Sequence, residues 1–193
     1  MPPARRHEMQ APAIIVVVGL ATILGAWAFQ LIGGYQPCPL CLEQRMPYYV
    51  GVPLALIAAL AAASGAKPTV PRTFLMVAGL VFAYGTYLGA YHAGAEWGWW
   101  AGPADCAPAG GGAVTDTTDI LAELETVRVV SCTEVQWRFL FLSFAGWNVL
   151  ISLFLVAVAF WGAFRPLKDR DDGRPRTGSG ESWATGRGGL IGR

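Results

Sequence analysis

Four stretches of this chain contain no charged residue: Ala11 to Ile32, Met46 to Ala66, Thr73 to Tyr91 and Phe139 to Phe164. Each matches the roughly 18–20 apolar residues that carry a helix across a bilayer core of about 30 Å. No water in that core can satisfy backbone N–H and C=O groups, so a span must be a helix or part of a closed barrel. Runs of this length make helices. The predicted fold is an all-α, four-transmembrane-helix bundle with spans at 11–32, 46–66, 73–91 and 139–164. Charged residues are 14% of the chain, against about 25% in an ordinary soluble domain. Residues 1–10 form a short polar tail. Residues 165–193 are rich in Gly, Arg, Asp and Ser without apolar periodicity and read as a disordered tail. A rival for the first span is a secretory signal ending at Ala26-Trp27-Ala28. The apolar run continues through Phe29, Leu31 and Ile32, which favours a retained span.

The distribution of charge orients the bundle. Arg5 and Arg6 precede the first span, Lys67 and Arg72 lie between the second and third, and seven cations follow the fourth. Only Arg45, Arg128 and Arg138 fall on the other side, together with seven acids from Glu96 to Glu134. Cytoplasmic loops carry the excess of Lys and Arg. Both termini are therefore expected inside, with loops 33–45 and 92–138 outside. The longer loop opens on Trp97, Trp99 and Trp100, indoles suited to the membrane–water boundary. Past Gly110-Gly111-Gly112, Asp116 to Asp119 supply helix-start chemistry. Ile120, Leu121, Leu124 and Val127 then share a face, which predicts a short interfacial helix. Tyr84, Tyr87 and Tyr91 also share a face, read as packing against neighbouring helices, with the lining of an aromatic cofactor slot as the alternative. No nucleic-acid partner is expected.

Both cysteine pairs fall in those outer loops, where thiols can oxidise. Cys38-Pro39-Leu40-Cys41 precedes the second span, and Cys106 and Cys132 lie in the long loop. A C-x-x-C at a helix start is the usual form of a redox-active dithiol, because the positive helix end stabilises a thiolate. Arg45, four residues beyond Cys41, adds a fixed positive charge on the same face. It could alternatively anchor to head groups. Zinc would call for a second knuckle-like pair; 25 residues separate Cys106 from Cys132, and no metal site is expected. A c-type haem needs His directly after the motif, where Leu42 stands. Two inert structural disulfides are the remaining alternative, yet a bridge across two residues is strained and easily reduced. His92, at the outer end of the third span, is either an interfacial polar residue or a ligand or proton carrier. Asn148 is read as an interhelical hydrogen-bonding residue, and Glu43 and Gln44 are assigned no role.

The run Cys38-Pro39-Leu40-Cys41-Leu42-Glu43-Gln44-Arg45 resembles the motif of the disulfide-bond formation protein B (DsbB) family. Tyr91-His92-Ala93-Gly94-Ala95-Glu96-Trp97 and Cys132-Thr133-Glu134-Val135-Gln136-Trp137 resemble that family too, over about Gly19 to Trp161. The resemblance implies an inner-membrane thiol:quinone oxidoreductase that reoxidises a periplasmic, DsbA-like thiol oxidase and passes the electrons to ubiquinone or menaquinone. It implies that Cys106 meets the partner's reactive cysteine, that Cys132 attacks Cys38, and that Cys41, released as thiolate, donates to quinone beside Arg45 and His92. Vitamin K epoxide reductase-like proteins are an alternative of the same chemistry, but their C-x-x-C sits late in the chain. A membrane scaffold with structural disulfides is the non-enzymatic alternative.

Overall fold

The computed structural model describes residues 3–103, 132, 133, 135 and 137–165. Among them are five helices and one small hairpin: α1 (Pro3–Leu31), α2 (Pro39–Glu43), α3 (Met46–Ser64), α4 (Thr69–Glu96), β1 (Arg138–Phe139), β2 (Leu142–Ser143) and α5 (Phe144–Phe164). Four segments are long and apolar enough to cross a membrane: Glu8–Leu31, Pro39–Ser64, Thr69–Glu96 and Phe144–Phe164. The protein is thus an all-α, four-span membrane bundle. The expected interfacial helix and the C-terminal tail lie outside the described residues.

Local chemistry sets the helix ends. Cys38 caps α2 in an extended conformation, and Pro39 takes the first turn, where its missing N–H leaves no bond unmade. A break at Gln44 and Arg45 separates α2 from α3. Gly65, at φ 78°, closes α3 in the left-handed conformation, its N–H turned back to Ala61 and Ala62. Ser143 Oγ accepts from Gly146 N to cap α5.

Three boundaries differ most from the sequence expectation. Helix α1 begins at Pro3, inside the stretch read as a tail. Helix α4 runs to Glu96 rather than ending at Tyr91. It can do so because Ala93, Gly94 and Ala95 are small and buried, and the Trp100 ring lies against Gly94. Helix α5 starts at Phe144, not Phe139. Residues 138–143 instead form a hairpin with Arg138 opposite Ser143 and Phe139 opposite Leu142. Its two corner residues, Leu140 (φ 48°) and Phe141 (φ 68°), both take the left-handed conformation that a tight hairpin turn demands.

The spans form a ring in which α1 packs on α3, α3 on α4, α4 on α5 and α5 on α1. Phe82, Ile15, Leu155, Ala55, Ala78 and Ala159 fill its centre. Lipid tails are as apolar as leucine, so close contact between helices, rather than water exclusion, holds such a bundle. Gly51 permits it: a Cβ there would sit 2.5 Å from Phe82 Cζ. The tyrosine stripe turns outward instead. Tyr84 and Tyr87 are 56% and 63% exposed and stack on each other, so the packing reading fails for both. Tyr91 alone is half-buried, stacked on Trp100.

The up-and-down path gathers residues 31–46, 92–96 and 138–148 at one end of the bundle. At the other end Arg72 donates to the Arg165 carbonyl. Arg165 Nη1 donates to Gln10 Oε1 at 3.2 Å, and its guanidinium lies 4.0 Å from the Trp161 ring centre.

Candidate functional site

The two ends of α2 build the thiol site. Cys38 Sγ accepts from the Cys41 backbone N–H at 3.2 Å and donates to Cys41 Sγ at 2.7 Å. Both are free thiols, with Cys38 buried and Cys41 half-buried. The hydrogen bond to Cys41, followed by burial, holds the Cys38 thiol above the ordinary cysteine range. Cys132 is buried and disulfide-bonded. It packs in one cluster with Cys38 and Leu40, with Cys41 and Tyr91 against them. The ligand-type atoms of Cys38, His92 and Cys132 all lie within 4.8 Å of one another. A disulfide sulfur is not the thiolate a metal needs. Cys106 lies outside the described residues.

Arg45 sits at the break between α2 and α3 and is only 9% exposed. Its Nη1 donates to Gln30 Oε1 at 2.7 Å, and its guanidinium stands 5.3 Å from the Trp27 ring centre. Both contacts tie it to α1. His92 is buried too. Gln44 Nε2 lies 2.7 Å from its Nδ1, and Cys38 Sγ lies 3.8 Å from its Nε2. Glu96 Oε1 is also 3.8 Å from Nε2, while Glu96 Oε2 accepts from Ser143 Oγ.

Cys38, Cys41, Cys132, Arg45 and His92 therefore converge at one end of the bundle. The sequence reading missed Gln44, Tyr48 and Glu96. Asn148 does make interhelical hydrogen bonds, as expected, to Tyr48 and Gln44. For Tyr48 the available signal was a polar group inside an apolar run, which is costly in lipid unless partnered. Gln44 and Glu96 fall in segments read as loops and carry no such signal.

A cavity of about 450 Å³ opens beside these groups. Cys41, Gln44, Arg45 and His92 form its polar edge, while Phe29, Tyr35, Trp137 and Phe144 form an aromatic wall. Phe29 meets Phe144 edge-on at 5.0 Å, and Trp137 stacks on Phe144 at 4.8 Å. Apolar walls with a few convergent donors are the usual makeup of a small-molecule site. A flat conjugated ring with hydrogen-bond-accepting oxygens suits both surfaces.

Residues 8–162 match the family described as disulfide bond formation protein DsbB. Curated proteins named disulfide bond formation protein B are similar to the chain. The one from Marinobacter nauticus is 30% identical over 163 residues, covering 81% of this chain and 91% of the relative. The one from Hahella chejuensis is 31% identical over 156 residues, covering 77% and 90%. The one from Nitrosococcus oceani is 29% identical over 138 residues, covering 69% and 78%. No solved structure matches the chain. The chain belongs to the disulfide bond formation protein B family of membrane disulfide oxidoreductases.

Proposed function

We propose that this chain, a member of the disulfide bond formation protein B family, reoxidises a soluble thioredoxin-like thiol oxidase outside the inner membrane and passes the electrons to membrane quinone. One observation carries the reading: Cys38 and Cys132 are buried together while Cys41 borders a cavity edged by Arg45. The partner's two thiols are oxidised as the Cys106–Cys132 bridge is reduced. Oxidised by a quinone, the Cys38 and Cys41 thiols would form a disulfide. The Cys132 thiolate then attacks its Cys38 Sγ, forming a Cys38–Cys132 bond and breaking the Cys38–Cys41 bond. The electron pair leaves on Cys41, at the cavity. Attack of the Cys106 thiolate on Cys132 restores the loop bridge and returns Cys38 to the free thiol described above. When bound, a quinone supplies a two-electron, two-proton acceptor. Arg45 and Gln44 offer N–H donors to its oxygens, and Phe29, Trp137 and Phe144 keep water away. Lys67, Arg72 and Arg165 at the opposite end support a cytoplasmic placement of that end and of both termini.

Separating the two pairs tests the relay. Cys106→Ser should abolish the mixed disulfide with the reduced partner, while dithiothreitol still drives quinone reduction through Cys38 and Cys41. Cys41→Ser should do the reverse. Loss of both reactions in either variant, with helix content unchanged, would exclude a two-pair relay.

A further inference from the structure

One line of polar side chains runs from the middle of the bundle to the thiol site. The Tyr48 hydroxyl lies 3.1 Å from Ser152 Oγ and donates to Asn148 Oδ1 at 2.7 Å. Asn148 Nδ2 donates to Gln44 Oε1 at 2.7 Å, and Gln44 Nε2 stands 2.7 Å from His92 Nδ1. An amide nitrogen has only donors, so Nδ1 must accept, and a neutral imidazole then carries its one proton on Nε2. Acceptors surround that side of the ring. Cys38 Sγ and Glu96 Oε1 are each 3.8 Å from Nε2. Reversing Gln44 alone would set two donors face to face, and reversing Asn148 alone two acceptors, so the links hold or reverse together. No buried side-chain nitrogen or oxygen among the described residues lacks a partner.

We propose that Tyr48, Asn148 and Gln44 are positioning residues: a one-way hydrogen-bonded chain that fixes His92 as its Nε2–H tautomer, with the proton facing the sulfurs of Cys38 and Cys132. The tautomer rests on the two amide orientations and on the acceptors beside Nε2, whereas its role rests on the thiol relay proposed above. Attack of the Cys132 thiolate on Cys38 Sγ moves negative charge through a buried, weakly screened space. An N–H pointing there steadies that charge. The opposite tautomer would present a lone pair and repel it. His92 keeps its proton throughout this step: one S–S bond forms, another breaks, and the electron pair leaves on Cys41.

The chain holds two histidines, His7 and His92, so His7→Ala leaves one imidazole to observe. Nitrogen NMR of that protein, labelled with ¹⁵N-histidine, should show the Nε2–H form. Gln44→Glu replaces the donor with an acceptor of equal size and should move the proton to Nδ1. Alkylation quenching should then show Cys132-to-Cys38 exchange slowed roughly tenfold, the scale of one charge-assisted hydrogen bond. Asn148→Leu frees the Gln44 amide and should give a mixture of tautomers, a second readout if Gln44→Glu does not fold. An Nδ1–H ring in the His7→Ala protein, or a tautomer unmoved by both variants, would overturn the positioning chain. A reversed tautomer with unchanged exchange would overturn its role. Absence of Cys132-to-Cys38 exchange without these substitutions would overturn the relay and the role together, leaving the tautomer to the spectrum.

Discussion

Arg45 is held by Gln30 and Trp27 at the edge of the cavity, so it is a fixed charge rather than a searching one. Arg45→Ala should raise the apparent quinone KM and slow turnover about ten- to hundredfold. That corresponds to the loss of about 1.5–3 kcal/mol for a hydrogen bond to a charged group. Arg45→Lys, which keeps the charge without the planar fork, should fall between. Steady-state kinetics checks both, and unchanged kinetics in the alanine variant would reduce Arg45 to an anchor. This residue was legible in the sequence because it lies one turn from a recognisable dithiol. Gln44 was equally near and was passed over, because its neighbours in sequence do not explain it. Its partners His92 and Asn148 lie 48 and 104 positions away. Short-range spacing reports chemistry within one turn, while a polar network across helices is visible only once they are packed.

The spans themselves were legible, since an uncharged run of that length has few alternatives in a membrane chain. Their ends were not. Glu96 and His92 looked like the polar start of a loop, yet each finds a buried partner, and α4 simply continues. The hairpin at 138–143 contains mostly apolar residues, indistinguishable by hydropathy from the first turns of a helix. Close packing between elements gives a further prediction. At Gly51, where α3 meets Phe82 of α4, an added methyl would overlap the ring. Gly51→Ala should destabilise the bundle by about 1–3 kcal/mol, as overpacking does, read as a lower melting temperature in detergent. Gly25→Ala in α1, with nothing within 4 Å of the added carbon, should be neutral or slightly stabilising. Equal effects at the two sites would show that helix propensity, not contact, governs stability here.

Taken whole, the bundle sets Arg72 and Arg165 at the end opposite its thiols. Arg72, Arg165 and Gln10 tie one end, and every described cysteine lies at the other. A membrane-impermeant thiol reagent applied to intact cells after mild reduction should label Cys106, while Cys132 is shielded by its burial against Cys38 and Leu40. Labelling only once the inner membrane is opened would reverse the orientation and remove the proposed partner. The cavity adds a different kind of consequence. Helices α1 and α5 touch closely near Gly162 and Ala11, and toward the thiol end both line the cavity, α1 through Thr22, Gly25 and Ala26 and α5 through Trp147 and Ile151. A quinone, the acceptor proposed above, dissolves in lipid and would reach a cavity lined by two spans from there. An acceptor entering that way arrives by diffusion in two dimensions, so its working concentration is a ratio of molecules to lipids, not an amount per litre. Diluting a fixed quantity of acceptor with empty bilayer starves the enzyme, although nothing in the surrounding water has changed.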